Sequence, residues 1–454
     1  MDVVTLSRIQ FALNISFHYI FPPLSIGLGL MLVIMEGCYL WTKNPVYESI
    51  TKFWVKIFAL IFAIGVATGL VMVFAFGSNW AQFSRFVGDV FGSMLGAEGI
   101  FAFFLESGFL GLLLFGWNRV SKGMHFFATI MVAFGAHFSA VWIVIANSWM
   151  QTPAGHKVVG EGAARHVEIA SFWGVLNNPS SWIRLSHVIV GCWLAGSFLV
   201  LSVSAYYLLK KRYTDFAYKS LKIALAVAAI AALLQLKTAD SSGREVAKYQ
   251  PIKLAAFEGV YHEQTPTPMY AFGIVDAKER KVKGVAIPGL LSFLVYRNFK
   301  EPVKSLDQYS PELWPNVKVV FQTYHAMIMM WGLMVLAVIF ALIAVWRKKL
   351  FQSKWTLRYL VFSVLFPQLA NQLGWFSAEM GRQPWVVHGL LKTKDAVSPL
   401  ITSGQVLTSL ILFSIIYALL FVLFIFLLDR KIRGGPIDEL PVEYRDIYVG
   451  RQGA

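Results

Sequence analysis

Residues 93–116 read SMLGAEGIFAFFLESGFLGLLLFG, 24 residues whose only charges are Glu98 and Glu106. As a helix rising 1.5 Å per residue this run is roughly 36 Å long, enough to cross a hydrocarbon core about 30 Å thick. No polar stripe divides it, as one would on a helix lying over a soluble core. Similar runs recur at 12–40, 57–76, 126–148, 184–209, 220–236, 318–346, 357–378 and 402–428. The expected fold is therefore all-α: a polytopic membrane protein with about nine transmembrane helices. Pro22-Pro23 is expected to kink the first.

Composition supports this. Hydrophobic residues make up 57% of 454 and charged residues 14%, where a soluble chain carries about 25% charged residues. Mean hydropathy is +0.60. The net charge of +15 invites a nucleic-acid partner, but the basic residues sit in short segments between apolar runs. Cys38 and Cys192 lie inside apolar runs and supply neither a disulfide framework nor an iron–sulfur site. The start, MDVVTLSRIQFALNISFHYIF, lacks the basic region and cleavage site of a signal peptide and reads as the first span.

Loop charge sets the orientation. Segments 43–56, 119–122, 210–222, 347–358 and 430–433 hold 18 Lys and Arg; the opposite set holds 8. The N-terminus is then expected outside and the C-terminus in the cytoplasm. The chain divides into spans one to six (1–236), one long extracytoplasmic loop (237–317), spans seven to nine (318–430) and a cytoplasmic tail (431–454). The long loop is basic yet outside, which the positive-inside rule permits for long loops.

Ionisable groups within spans are costly and mark function. Here they are His18, Glu98, Glu106, His137, His187, His325 and Glu379. Each has a structural alternative, a hydrogen bond to a neighbouring helix. The topology places His18, Glu98, His187, Met327 and Glu379 all toward the outer side of the bilayer, on five helices. Such a layer suits axial ligation of haem. A bare-metal site would more often show paired ligands such as Glu-x-x-His on one helix. Glu106 lies eight residues beyond Glu98, about 12 Å deeper and roughly 80° around an α-helix. Glu106, Ser107 and Ser139 then read as a proton path stepping inward.

The segments LSRIQFALNISFHYIFPPLSIGL, TKFWVKIFALIFAIGVATGLVMVFAFGSNW, GAEGIFAFFLESGFLGLLLFGWNR, IANSWMQTPAG and GWFSAEMGRQPWVVHGLL resemble subunit I of cytochrome bd-type quinol oxidases over nearly the whole chain. The resemblance implies three haems: a low-spin haem b, a high-spin haem b, and haem d or a third haem b. His187 and Met327 match the axial pair of the low-spin haem, a ligation that raises its potential. His18 and Glu379 match ligands of the two high-spin haems, and Arg382 a propionate partner. Glu98 matches a carboxylate beside the dioxygen site, and Glu106, Ser107 and Ser139 the proton channel. Lys253 and Glu258, in IKLAAFEGVYHEQTPTP, match positions linked to quinol oxidation. The implied partners are a second membrane subunit, a small single-span subunit, quinol and dioxygen, in a bacterial or archaeal cytoplasmic membrane.

There are departures. The outer loop is the short version. His325 stands where many members have Arg, and His137 where some have Asn. Such substitutions are common in the branch often called cyanide-insensitive oxidases, which can carry haem b in place of haem d. Met329 and Met330 compete with Met327 as ligand.

The expected function is quinol oxidation at the outer side and dioxygen reduction with cytoplasmic protons, electrogenic without a pump. A diheme cytochrome b or a haem-copper oxidase needs His pairs on shared helices, and the 9 His are not so arranged. A haem-free secondary transporter needs two related halves with polar groups near the midplane, and no halves match.

Overall fold

Proline sets the main breaks. Pro22 and Pro23 have no N–H for the carbonyls of His18 and Tyr19, and their rings crowd those carbonyls. Helix α1 (Val3–His18) ends there, and α2 (Phe21–Thr42) restarts with both prolines in its first turn. Pro367 acts likewise on Ser363. The expected eighth span, 357–378, is split into α13 (Lys354–Phe362) and α14 (Leu365–Met380). Neither piece alone is long enough to span. By length and apolar composition, eight helical stretches can cross a membrane among the described residues, with α1 and α2 counted as one.

The computed structural model describes residues 1–436. Most of the expected cytoplasmic tail, 437–454, lies outside the described residues. After α2 come α3 (Pro45–Ser78), α4 (Ala81–Ala97), a π-helical turn (Glu98–Phe103) and α5 (Phe104–Phe115), the last three forming one continuous rod. Then follow α6 (Lys122–Gln151), the short α7 (Phe172–Leu176), α8 (Ser181–Leu209) and α9 (Thr214–Tyr249). The chain continues through α10 (Pro251–Glu258), α11 (Leu290–Tyr296) and α12 (Val317–Trp346) to α13, α14 and α15 (Ser403–Gly434). Three small antiparallel hairpins sit in the connections: β1 (His156–Val159) with β2 (His166–Ile169), β3 (Met269–Asp276) with β4 (Lys281–Ile287), and β5 (Trp385–Val387) with β6 (Leu391–Lys392).

The sixth span runs further than expected. The apolar run stops near 236, but helix α9 continues to Tyr249. An Asp240–Arg244 pair at 3.0 Å bridges successive turns of this extension, and Arg297 reaches Asp240 at 2.6 Å. The segment expected as loop from 237 thus begins as a helical extension, with its first break at Gln250.

The core is built around α8, against which α2, α6 and α9 pack. Glycines let the backbones meet: a Cβ on Gly196 would lie 2.6 Å from Gly27 Cα. Close approach through small residues is how helices associate where lipid removes the hydrophobic drive. Gly196→Val is expected to cost about 1–3 kcal/mol or more through forced separation, read as a lowered melting temperature in detergent. Gly243→Ala, at a position with nothing within 4 Å, should show no such loss. Helices α3, α5 and α15 turn large apolar groups outward, among them Phe74, Phe104 and Leu419. These faces suit lipid or a second membrane subunit.

Candidate functional site

A buried polar cluster closes the end of the bundle that loop charge predicts to be outside. Glu379, at the end of α14, accepts from Asn147 at 3.2 Å and Gln151 at 3.3 Å through one oxygen, and from Arg382 through the other. Arg184, in the first turn of α8, donates to Asn147 Oδ1 at 2.7 Å and Ser148 Oγ at 3.1 Å. Lys253 Nζ donates to Gln151 Oε1 at 2.8 Å and Gln250 Oε1 at 3.2 Å. A Cβ on Gly381 would lie 3.0 Å from the Lys253 side chain. Lys253 is therefore buried beside Glu379 and Arg382, not displayed in a solvated loop.

Two candidate ligands, His187 and Met327, lie one turn deeper. His187 Nδ1 lies 3.1 Å from Thr238 Oγ1, and the Gln235 amide approaches both ring nitrogens. On α12, Trp331 donates to Ala232 O at 3.3 Å. The two helices are antiparallel, so Met327, one turn outward on α12, is level with Leu236 beside Gln235. Helix α14 gives the same level: Gly191 meets Asn371, and one turn outward Gly374 lies against Met327, where a Cβ would be 2.9 Å from Sδ. His187 and Met327 thus share a depth, and Gly374 makes room for the Met327 thioether.

Among the alternatives, both histidines carry hydrogen bonds and Met329 points away from the bundle. His325 Nδ1 and Nε2 lie 3.0 Å from the carbonyls of Phe321 and Tyr270. Met329 is 42% exposed on the outer face of α12. His137 receives the Trp193 indole N–H at 2.9 Å on Nε2, and its Nδ1 lies 2.7 Å from Ala133 O.

Deeper still, His18 lies 3.1 Å from Thr68 Oγ1, and Gly69 gives it room: a Cβ there would be 3.1 Å from the ring. Glu98 accepts from Ser139 at 2.5 Å. Ser139 is eight residues below Asn147 on α6, about 12 Å by helical rise. The five residues expected in one outer layer are therefore spread in depth, with Glu379 outermost and Glu98 well below it.

The angular offset expected between Glu98 and Glu106 also changes. The π turn Glu98–Phe103 separates them. Its i→i+5 bonds place more residues in each turn, which swings Glu98 back toward the face of Glu106. Both residues meet one stripe of α6: the Glu98 carboxylate at Ser139, and the Glu106 Cβ over Gly135, where an added Cβ would lie 2.9 Å from it. Ser107 does not join them; its hydroxyl donates to Phe103 O at 2.7 Å, back along its own helix.

Glu258, 2% exposed, lies 4.0 Å from His325 Nε2, with one oxygen lacking a hydrogen bond. Burial pushes its carboxyl up to about 7, partly offset by the Tyr324 hydroxyl. Burial, and then the Arg184 charge, pulls the Lys253 ammonium well below the ordinary lysine range; Glu379 partly opposes this.

Several residues here were not singled out from sequence. Arg184 was counted only as a loop charge. Glu245 fell in the stretch taken as loop, yet it is buried and neither carboxylate oxygen has a partner. Glu36 and His125 form a buried pair at 2.7 Å. Glu36 is the only carboxylate inside the first apolar run, a signal that would have found it.

The donor set fits haem. His187 and Met327 could hold a low-spin haem, and His18 and Glu379 could each ligate one further haem. The Nε and Nη1 groups of Arg382 are buried without partners, as propionate donors would be before the carboxylates arrive.

The sequence model of the family described as cytochrome bd terminal oxidase subunit I matches residues 6–436. The chain is 40% identical to the cytochrome bd ubiquinol oxidase subunit 1 of Bacillus subtilis, over 96% of this chain and 94% of that one. It is 34% identical to the cytochrome bd-II ubiquinol oxidase subunit 1 of Escherichia coli, over 96% and 97%. The fold is similar to the bd oxidase structure from Geobacillus thermodenitrificans, with a TM-score of 0.89 and 29% identity over 96% of this chain and 99% of that chain.

Proposed function

The chain belongs to the cytochrome bd terminal oxidase subunit I family, and from that premise we propose that it is the haem-bearing subunit of a bacterial inner-membrane terminal quinol oxidase that oxidises quinol at its outer side and reduces dioxygen with cytoplasmic protons. The observation that carries this reading is the pairing of His187 and Met327 at one depth, with Arg382 above them. The N-terminus is outside and the C-terminus cytoplasmic. Its partners are a second membrane subunit and a small single-span one, whose docking faces include the outward apolar side of α3 and α5.

His187 and Met327 would hold the low-spin haem b, His18 and Glu379 the high-spin haem b and the haem d or third haem b, and Arg382 a propionate. When bound, these haems supply one-electron transfer and the reduction of dioxygen. The protein's own groups then manage protons. Glu258, buried in the outer segment, would act as the base that accepts a quinol proton, with a pKa near working pH. Lys253 ties that segment to the Glu379–Arg382 cluster through Gln151. Glu106 passes protons outward to Glu98, which Ser139 holds. Release outside and uptake inside separate charge without a pump.

Oxygen consumption by the purified complex with reduced quinol tests this reading; no quinol-dependent uptake in a haem-replete preparation would refute it. Glu258 also makes a pH prediction. Its ionised form is the acceptor, so the quinol-limited rate should rise as pH passes through about 7. Glu258→Gln should lower quinol oxidation and remove that inflection with haem content unchanged. The sign for stability is opposite. The folded carboxyl is raised above its ordinary 4.5, so the folded state binds more protons between 4.5 and about 7, and this contribution weakens as pH rises through that window. Lys253→Ala should likewise lower quinol oxidation; loss of haem in either variant would make the segment structural instead.

A further inference from the structure

The hairpin β3–β4 has two unlike faces, because side chains alternate along a strand. On one face Val275 and Val282 join the buried cluster around Phe321. The other face carries Phe272, Ile274, Val285 and Ile287, each between 44% and 65% exposed. Phe272 stands opposite Val285, Ile274 opposite Lys283, and Asp276 opposite Lys281. This outward face is therefore apolar toward the open end of the hairpin and charged toward its turn.

Helix α12 sets the face in depth. The Tyr270 carbonyl lies 3.0 Å from His325 Nε2, the Val275 N–H donates to Gln322 Oε1 at 3.3 Å, and the Arg280 guanidinium lies 5.2 Å over the Trp314 ring. Going from Tyr270 to Arg280, the hairpin climbs α12 from residue 325 to beyond its first residue, Val317. The turn is outermost and the apolar end deepest. Helix α12 has 30 residues, about 45 Å by helical rise, against a hydrocarbon core about 30 Å thick. Its cytoplasmic end is marked by Trp346, 80% exposed, and by Arg347, Lys348 and Lys349, groups that sit at a membrane interface. A core of about 20 residues counted back from Trp346 ends near Met327, so the hairpin stands in the headgroup layer just beyond it. It also stands on a lipid-facing stripe. Phe321 and His325, which carry the hairpin, share a helix face with Met329, Leu336 and Ile343, all exposed further in.

We propose that the outward face of β3–β4 docks onto the outer leaflet of the membrane, with Phe272, Val285 and Ile287 at the acyl-chain boundary and the turn among anionic phospholipid headgroups. The turn region holds Lys278, Arg280, Lys281 and Lys283 against Asp276 and Glu279. It keeps a net positive charge although Lys283 pairs with Asp276 at 2.7 Å and Lys281 with Glu279 at 2.5 Å. Apolar groups below and cations above is the order that an interfacial segment presents to a bilayer. A contact with another subunit requires no such order. Docking braces Tyr270 against the leaflet, and with it His325, which lies 4.0 Å from Glu258. The docking itself does not depend on where quinol is oxidised.

The test uses the whole oxidase in vesicles, with a nitroxide on one introduced cysteine and the signal of the same preparation lacking that cysteine subtracted. Collisions with oxygen, which concentrates in lipid, are compared with collisions with a neutral, water-soluble nickel chelate. Labels on Phe272→Cys and Ile274→Cys should favour oxygen severalfold over a label on Lys278→Cys in the turn, with the larger ratio at 272. If 272 and 274 meet the chelate as freely as 278, the hairpin stands in water and the proposal is overturned. A label at 272 that is immobile and shielded from both reagents puts a protein on this face and overturns it equally. Should Phe272→Cys fail to assemble, judged by its haem spectrum, Val285→Cys reads the same place from the opposite strand. Replacing part of the phosphatidylcholine with phosphatidylglycerol should raise the oxygen preference at 274, and Lys278→Gln with Lys281→Gln should remove that response. Equal values in the two kinds of vesicle, or an undiminished response in the double variant, overturns the role given to anionic headgroups.

Discussion

Replacing His187 with Ala removes the low-spin haem signal of the purified complex and leaves part of the high-spin signal. His187 is aimed by Thr238 and Gln235 on α9 and lies at the depth of Met327, whose sulfur packs against Gly374. The partners of His187 are side chains that can rotate away, whereas His325 is held by two backbone carbonyls and His137 by the Ala133 carbonyl and the Trp193 indole. His18 and Glu379 lie at other depths, so their haems should survive in part. Electron entry from quinol should fail. Met327→Leu is the companion test, because Leu fills the same space without a sulfur ligand. A normal low-spin spectrum in Met327→Leu would transfer the ligand to another residue of α12.

The second large effect belongs to Glu106. Glu106→Gln should assemble with all its haems, bind dioxygen and slow in turnover by about 10²-fold or more, the range over which a positioned acid or base contributes. Gln keeps the shape that packs on Gly135 and cannot titrate. A structural role predicts nearly normal activity in the same variant. Haem content measured beside steady-state oxygen consumption separates the two. Full turnover in a haem-replete variant would remove Glu106 from the proton path.

Much of this architecture was legible because hydrophobic run length is a strong signal and lipid leaves few alternatives to a helix. What sequence placed less well has physical causes. The eighth span was read as one run because Pro367 sits inside an apolar stretch, and hydropathy does not register a missing N–H. The end of α9 was drawn at the last apolar residue, although 237–249 extends the helix with paired charges. The Glu98–Glu106 angle assumed α-helical turns, and the π turn between them has no simple sequence mark. Lys253 was placed only in a long extracytoplasmic loop; within that segment α10 folds it down onto Gln151 and Gly381. His125 escaped attention because it lies just outside the apolar run that begins at 126. The sequence was most informative where a single residue breaks an apolar run, as at Glu98, Glu106 and His187, and least where several segments converge.

The measurement that bears most directly on the central claim is the reduced-minus-oxidised visible spectrum of the purified complex, with its haems extracted and counted. The account predicts haem absorption from both low-spin and high-spin centres, three haems for each copy of this chain, and reduction of the low-spin centre by added quinol. A pure, folded protein with no haem bands would contradict it.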